Sequence, residues 1–205
     1  MLPGESEESD KAPVLRGACL LIVGYYSIHF FTAGMLALGE TSTFIHLINL
    51  VFHEAGHVIF GLFGNRMLHV AGGSIMQCLV PLVLCVLFYW KNQDAFAAGL
   101  GLWWLGQNLV DCAPYINDAR LLQLTLIGGR TGSEVEGHDW EYILTTLNLL
   151  NRDIYISRDV LFAGRLIMAA GLAWSLADLI RAVIAKRKNN AIGAVNPPGP
   201  DLDRP

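Results

Sequence analysis

Three residues in one apolar stretch have the types and the spacing of a metal-dependent hydrolase. They are His53, Glu54 and His57, in the pattern His-Glu-x-x-His within residues 50–60. On a helix, residues four apart share one face and lie about 6 Å apart along the axis, so both imidazoles can bind one metal ion. A zinc ion lowers the pKa of a bound water to about 7, and the Glu54 carboxylate can pass that water's proton to a leaving amine. The predicted chemistry is zinc-dependent hydrolysis of an amide bond.

The composition indicates that these residues lie in a membrane. Of 205 residues, 53% are hydrophobic and only 16% are charged, and the mean hydropathy is +0.43. A soluble domain has about 25% charged residues, so this chain has too few to cover a water-exposed surface. The net charge of −4 and the absence of a basic cluster interleaved with aromatic residues argue against nucleic-acid binding. A carboxylate inside the bilayer costs several kcal/mol, which favours a functional role for Glu54.

The apolar segments predict an all-α, polytopic membrane bundle, because about 20 apolar residues are needed for one crossing. An additional half-span from Tyr115 to Ile127, beyond the five spans given below, would reverse the predicted membrane orientation of all the spans that precede it. The polar segment 128–159 has apolar residues at helical spacing and predicts one interfacial amphipathic helix, packed across the bundle end or acting as a substrate gate. Its apolar residues are Trp140, Ile143, Leu144, Leu147 and Leu150. The five predicted spans are about residues 17–38, 43–63, 70–90, 95–114 and 160–184.

A single membrane domain is expected over residues 14–188, between two disordered tails. Residues 1–13 are acidic and residues 189–205 are Pro-rich, and both have few apolar side chains. The acidic start of the chain differs from the basic start of a secretory signal. A cluster of Lys and Arg after the last span predicts a cytoplasmic C-terminus, and five spans then put the N-terminus outside. We expect a multi-pass protein of the bacterial inner membrane.

A third protein ligand is needed, because catalytic zinc sites use three protein ligands and one open position. Segment four ends in polar residues after Pro114, which predicts a broken helix near the membrane surface. Asp118 in this stretch is one candidate, and Asp111 and His138 are the alternatives. Asp139 beside His138 could orient its imidazole, or could cap the helix that starts at Trp140 with a solvated His138 before it.

The His-Glu-x-x-His motif on the second span, followed two spans later by Asn108, Pro114 and Asp118, resembles the site-2 protease family of intramembrane zinc metalloproteases. The resemblance covers residues 43–120. It implies that Asp118 is the third zinc ligand and that Asn108 or Asn117 holds the substrate backbone. It also implies that the substrates are membrane-spanning segments of other proteins, cleaved within the lipid bilayer.

The remaining polar residues have less specific interpretations. Ser74 and Gln77 could donate hydrogen bonds to a substrate carbonyl, and the glycines before them allow close helix approach. His46 lies seven residues before His53 and could support the metal ligands from behind. The four cysteines form no Cys-x-x-Cys pair and are expected to be buried free thiols.

Two other functions remain open from the sequence. One is a non-proteolytic membrane scaffold of the same fold, and the other is a metal-ion transporter that uses the intramembrane histidines. The oligomeric state is not predicted.

Overall fold

The helix order follows the sequence pattern closely. The structure, a computed structural model, describes residues 3–41, 43–126 and 129–195. In this part of the chain there is no strand, and one isolated bridge joins Thr125 and Thr131. The α-helices are α1 (Pro3–Thr32), α2 (Met35–Glu40), α3 (Phe44–Gly61), α4 (Arg66–Trp90), α5 (Ala95–Asn117), α6 (Asp139–Thr146) and α7 (Asp153–Val195), with a 3-10 turn at Leu150–Arg152.

Four of these helices are long and apolar enough to cross a membrane: Ala12–Thr32, Phe44–Gly61, Arg66–Trp90 and Leu150–Ala191. The predicted fourth span corresponds to α5, which is not among the four. Its glycines, together with Gln107, Asn108 and Asp111, lower its mean hydropathy. Gln107 and Asn108 are fully buried, so these polar groups face the interior of the bundle.

Glycines bring α5 and α7 into direct contact. A Cβ atom on Gly99 would lie 2.8 Å from the Gly171 carbonyl oxygen, and one on Gly106 would lie 2.6 Å from the Gly164 carbonyl oxygen. Small residues allow helix backbones to approach closely where apolar burial alone gives little driving force. The adjoining core includes Phe30, Trp103, Val110 and Met168. α5 is therefore the central helix that the others surround.

The described helices extend into both segments that the sequence predicts to be disordered tails, 1–13 and 189–205. α1 begins at Pro3 and α7 continues to Val195. Extending an existing helix avoids the cost of nucleation, and the acidic start of α1 is rich in Glu, a good helix former. Residues 1–2 and 196–205 lie outside the described residues.

Pro114 does not break its helix, contrary to the sequence-based expectation. α5 continues through Pro114 to Asn117 and ends at Asp118. The turn beyond this end is closed by Asp118, whose carboxylate accepts the backbone N–H groups of Gln123 and Leu124, both at 2.9 Å. The chain thus leaves the helix one turn later than the proline suggested.

The two ends of the described chain lie at the same end of the bundle. Arg16, early in α1, binds Asp178 in the second half of α7 at 3.2 Å. Arg165, early in α7, donates to the Phe30 and Ala33 carbonyls at the end of α1. α1 and α7 are therefore antiparallel. The start of α1 and the end of α7 therefore lie at the same end of the bundle, whereas five crossings would put them at opposite ends.

The placement of α3 explains why the start of α1 and the end of α7 lie at the same end of the bundle. His46 in its first turn contacts Asp111 of α5, and its last residue, Gly61, adjoins His69 of α4. α4 is antiparallel to α5, because Gln77 meets Cys112 and Cys85 meets Gly101. Both ends of α3 therefore lie in the half of the bundle at the Asn117 end of α5.

The predicted interfacial helix is short and lies across the bundle end. Trp140 of α6 donates to the Ser74 hydroxyl on α4 at 3.2 Å. Ile143 and Leu144 are buried beneath α6, whereas Leu147 is 51% exposed. The apolar spacing thus predicted Ile143 and Leu144 on the buried face correctly, and it was wrong for Leu147.

Candidate metal site

Helix α3 carries both histidines of the motif and is held tightly against α4. A Cβ atom on Gly56 would lie 2.1 Å from the Gly72 carbonyl oxygen, so only glycine permits this contact. The close approach expected at Gly72 and Gly73 is therefore present. It brings the Gln77 side chain and the His69 backbone of α4 within hydrogen-bond distance of the two imidazoles of α3.

The His53 imidazole is oriented by Gln77. Its Nδ1 donates to Gln77 Oε1 at 2.7 Å, and the Gln77 amide donates in turn to the Cys112 sulfur at 2.9 Å. Gln77 therefore supports His53, and its Oε1 and one amide N–H are already engaged. The ring lies over Gly73, where a Cβ atom would come within 2.5 Å of His53 Nε2. A proton on Nδ1 leaves Nε2, the other ring nitrogen, available to bind a metal ion or, when it also carries a proton, to donate to a carboxylate.

The His57 imidazole is oriented in the same sense by the backbone of α4. Its Nδ1 donates to the His69 carbonyl oxygen at 2.9 Å. The His69 ring returns a bond of the same length, from Nδ1 to the His57 carbonyl oxygen. Both histidines of the motif thus direct Nε2 to one point. Such outer hydrogen bonds are the usual means of fixing a metal-binding histidine.

Asp139 meets the two imidazoles at that point. Its Oδ2 lies 2.9 Å from His53 Nε2 and 3.2 Å from His57 Nε2. Asp139 is the first residue of α6, and its backbone N–H donates to the Tyr115 hydroxyl at 3.0 Å. The pKa of Asp139 is lowered from its ordinary value, because burial, which raises it, is outweighed by the hydrogen bonds from His53 and His57.

The donor set fits a zinc ion. In the described part of the chain, His53, His57 and Asp139 form a group whose ligand atoms all lie within 4.8 Å of one another. Ligands of a tetrahedral zinc site, at about 2.0–2.1 Å from the ion, are about 3.3 Å apart, close to the two distances observed here. Two imidazole nitrogens and a carboxylate oxygen that converge on one point are satisfied either by a proton on Nε2 or by a bound cation. A zinc ion bound there would leave a fourth position open.

Asp118, the expected third ligand, is engaged elsewhere. Both of its oxygens accept backbone N–H groups of the turn after α5, and it is 5% exposed. It is absent from the three-residue group, in which Asp139 occupies the corresponding place. Asp111 is also engaged, since it accepts from His46 and Asn49. The structure therefore places Asp139, and neither Asp118 nor Asp111, beside the two imidazoles.

His138, the other alternative, caps α6. Its Nδ1 accepts the Glu141 backbone N–H at 3.1 Å, so a helix cap predicted at Asp139 is found one residue earlier. The His138 side chain is buried, in contrast to the expected solvated imidazole, and burial lowers its pKa below the ordinary value. A neutral His138 with its proton on Nε2 faces Asp118 at 3.6 Å.

Glu54 and the three-residue group share one large cavity. The cavity has a volume of about 1390 Å³ and is bounded by α2, α3, α4, α5 and the segment that leads to α6. Glu54 is exposed to it, and its carboxylate acts electrostatically on His57 and Tyr115. Apolar residues cover much of the remaining wall: Leu36, Leu38, Leu50, Leu124 and Leu126. The cavity can therefore hold an apolar segment beside the predicted general base.

The other predicted substrate contacts are dispersed. Ser74 accepts the Trp140 indole N–H. Asn108 is fully buried and donates to the Trp104 carbonyl within its own helix. Asn117 lines the cavity, and its amide oxygen accepts the Ser157 hydroxyl. Of these three residues, Asn117 alone is among the cavity-lining residues.

A second polar cluster lines the same cavity two turns away along α3. His46 Nδ1 lies 3.0 Å from both Asp111 oxygens, and Asn49 donates to Asp111 and to Gln107. The Trp104 indole donates to the Asn49 amide oxygen at 2.9 Å. His46 thus bonds to Asp111 and does not support His53 directly.

Sequence reasoning missed two contributors. The sequence predicts Asp139 either as a partner of His138 or as a helix cap, and it predicts no role for Tyr115. The residues 137–140, Gly-His-Asp-Trp, were a compact polar group at the start of a predicted helix, which was the available signal. The sequence of that segment does not indicate which imidazole the Asp139 carboxylate will contact.

Compared with models of known protein families, with curated proteins and with solved structures, the chain matches none.

Proposed function

We propose that this protein is an intramembrane zinc metalloendopeptidase that hydrolyses peptide bonds in or near membrane-spanning segments. One observation carries the proposal. Both histidines of the motif donate through Nδ1 to fixed acceptors and direct Nε2 at the Asp139 carboxylate. Bound there by His53, His57 and Asp139, zinc would polarise the scissile carbonyl and lower the pKa of water. In this proposal Asp139 replaces Asp118 as the third ligand.

The other roles belong to residues of the cavity. Glu54 accepts the proton of the attacking water at its carboxylate and returns it to the leaving amine. The leucine-rich wall accommodates the apolar side chains of an unwound substrate segment. The resemblance of the His-Glu-x-x-His segment to the site-2 protease family supports the same activity.

The first experiment measures the zinc content of detergent-purified protein by elemental mass spectrometry. We expect about one zinc per chain in the wild type and at least a tenfold loss in His57→Ala and Asp139→Asn. Asp118→Asn is the matched control and should retain zinc. A wild type without zinc, or zinc retained in Asp139→Asn, overturns the proposed site.

The second experiment tests hydrolysis with fluorescein-labelled casein in detergent. Glu54→Gln should keep its zinc and lose cleavage by at least a hundredfold, because the proton acceptor is removed. Zinc-loaded wild type that does not cleave casein or a reconstituted membrane-spanning peptide would indicate the alternative, a non-proteolytic membrane scaffold.

A metal-ion transporter is a second candidate, favoured by His46 and Asp111, which bond to each other and line the same cavity as the proposed ligands. Polar groups at successive depths are typical of ion pathways. Zinc uptake into proteoliposomes that is abolished by His46→Leu would support transport. Unchanged flux relative to empty vesicles would exclude it.

For the membrane arrangement, we propose that α1, α4, α5 and α7 cross the bilayer and that α3 enters it obliquely. Four crossings put both chain ends on one side, in agreement with the antiparallel α1 and α7. The cluster of Arg181, Lys186, Arg187 and Lys188 assigns that side to the cytoplasm of a bacterial inner membrane. Tags at both termini should be equally protected from protease added to intact spheroplasts.

A further inference from the structure

Tyr115 lies beside the proposed metal site and is not one of its proposed ligands. It lies on the last turns of α5, and its hydroxyl accepts the Asp139 backbone N–H at 3.0 Å. Its ring packs edge-on against His53, with 6.4 Å between ring centroids, and against His138 at 4.2 Å. These contacts hold the phenol in one orientation next to two of the three proposed ligands.

The Tyr115 hydroxyl retains its own proton for donation. A phenol oxygen that accepts one hydrogen bond can still donate one. Among the described residues, no oxygen or nitrogen accepts this proton in a hydrogen bond, and Tyr115 lines the cavity together with Glu54. The free O–H therefore adjoins the space in which a bound peptide would lie.

Some other neutral donors near the site have contacts of their own. Gln77 donates to the Cys112 sulfur, while Ser74 and Asn108, which contact Trp140 and the Trp104 carbonyl, are not among the cavity-lining residues. Hydrolysis develops negative charge on the scissile carbonyl oxygen, and a fixed donor at that oxygen raises kcat roughly 100- to 1,000-fold in other hydrolases. Tyr115 is a neutral donor that lines the cavity and contacts the Asp139 backbone next to the proposed metal position.

We propose that Tyr115 is a catalytic residue that donates a hydrogen bond to the scissile carbonyl oxygen as this oxygen becomes negatively charged. The role rests on the proposed function and deepens it. In the reaction, a water oxygen bonds to the carbonyl carbon and the carbon–nitrogen bond breaks. Glu54 carries the water's proton to the amine, and Tyr115 keeps its proton throughout. The products are a carboxylic acid and an amine, so all atoms are accounted for.

The test uses a readout that needs no substrate. The full chain is loaded with Co²⁺ and titrated with acetohydroxamic acid, which chelates metal through its carbonyl oxygen and its deprotonated N–O oxygen. Binding is followed by the visible spectrum. Tyr115→Phe should raise the Kd of acetohydroxamic acid about tenfold at unchanged Co²⁺ stoichiometry. The matched control is Tyr26→Phe on α1, whose hydroxyl is buried and has no hydrogen-bond partner in the described chain; its Kd should equal that of the wild type.

The possible results separate the two proposals. Unchanged acetohydroxamic acid affinity in Co²⁺-loaded Tyr115→Phe overturns the role of Tyr115 and leaves the metal site intact. If Tyr115→Phe lowers the affinity for Co²⁺ enough to explain the whole rise in the Kd of acetohydroxamic acid, the proposed role of Tyr115 is also overturned. Tyr115 would then act only through Asp139. A wild type that binds no Co²⁺ overturns the proposed function together with this inference. On casein, Tyr115→Phe should lower kcat more than it raises KM.

Discussion

His57 and His69 exchange hydrogen bonds across the contact of α3 and α4, each from its Nδ1 to the other's carbonyl oxygen at 2.9 Å. His57 is oriented by the hydrogen bond that its ring donates to the backbone carbonyl of His69. The second bond is donated by the His69 ring to the backbone carbonyl of His57. The pair therefore couples the position of a proposed metal ligand to the position of α4.

Replacing His69 by alanine should weaken metal binding about tenfold, because the His69 backbone is then held less firmly under His57. The measurement is the zinc Kd by competition with a chromophoric chelator. His29→Ala is the matched control, since His29 lies on α1 beside Phe30. Equal affinities in the wild type and His69→Ala would show that the side chain of His69 has no part in orienting His57.

Gly73→Ala should abolish zinc binding or weaken it by at least a hundredfold. Its methyl group would lie 2.5 Å from His53 Nε2, the atom that faces the metal position. Gly24→Ala is a suitable control, because a Cβ atom there would meet nothing within 4 Å. Zinc binding that survives in Gly73→Ala would contradict the placement of the His53 ring over α4.

Gln77→Leu should lower zinc affinity about 10- to 100-fold, because His53 loses the acceptor that fixes its ring. Gln77→Glu keeps an acceptor at that position and should retain more of the affinity. Chelator competition measures both variants. If leucine and glutamate lowered affinity equally, orientation of His53 by residue 77 would be disproved.

Asp111→Ala should destabilise the fold by about 2–3 kcal/mol without loss of zinc, because His46 and Asn49 both lose an acceptor within the bundle. The double variant His46→Leu, Asp111→Leu removes both partners and should recover part of the loss. Thermal unfolding in detergent measures stability, and elemental analysis measures zinc. Loss of zinc in Asp111→Ala would indicate that Asp111 is a zinc ligand after all.

Local patterns predicted the elements of this fold well. The apolar spacing of residues 139–150 placed Ile143 and Leu144 on the buried face of α6, and of the four cysteines expected to be buried, Cys85 and Cys112 are buried. Two of the three residues in the candidate metal group follow from helix periodicity, since His53 and His57 are one turn apart on α3. These features depend on neighbours in sequence, where geometry is fixed by the helix itself.

The sequence by itself thus determined an all-helical chain rich in membrane-length helices, with a His-Glu-x-x-His motif on one of them. Only the tertiary structure decided that Asp139 meets His53 and His57, while Asp118 closes a turn of its own. Asp139 is 82 positions beyond His57 in the chain, and a contact over such a separation depends on how whole helices pack. That packing depends on close glycine contacts such as the one between Gly56 and Gly72, and no local sequence pattern indicates which helices will pack together.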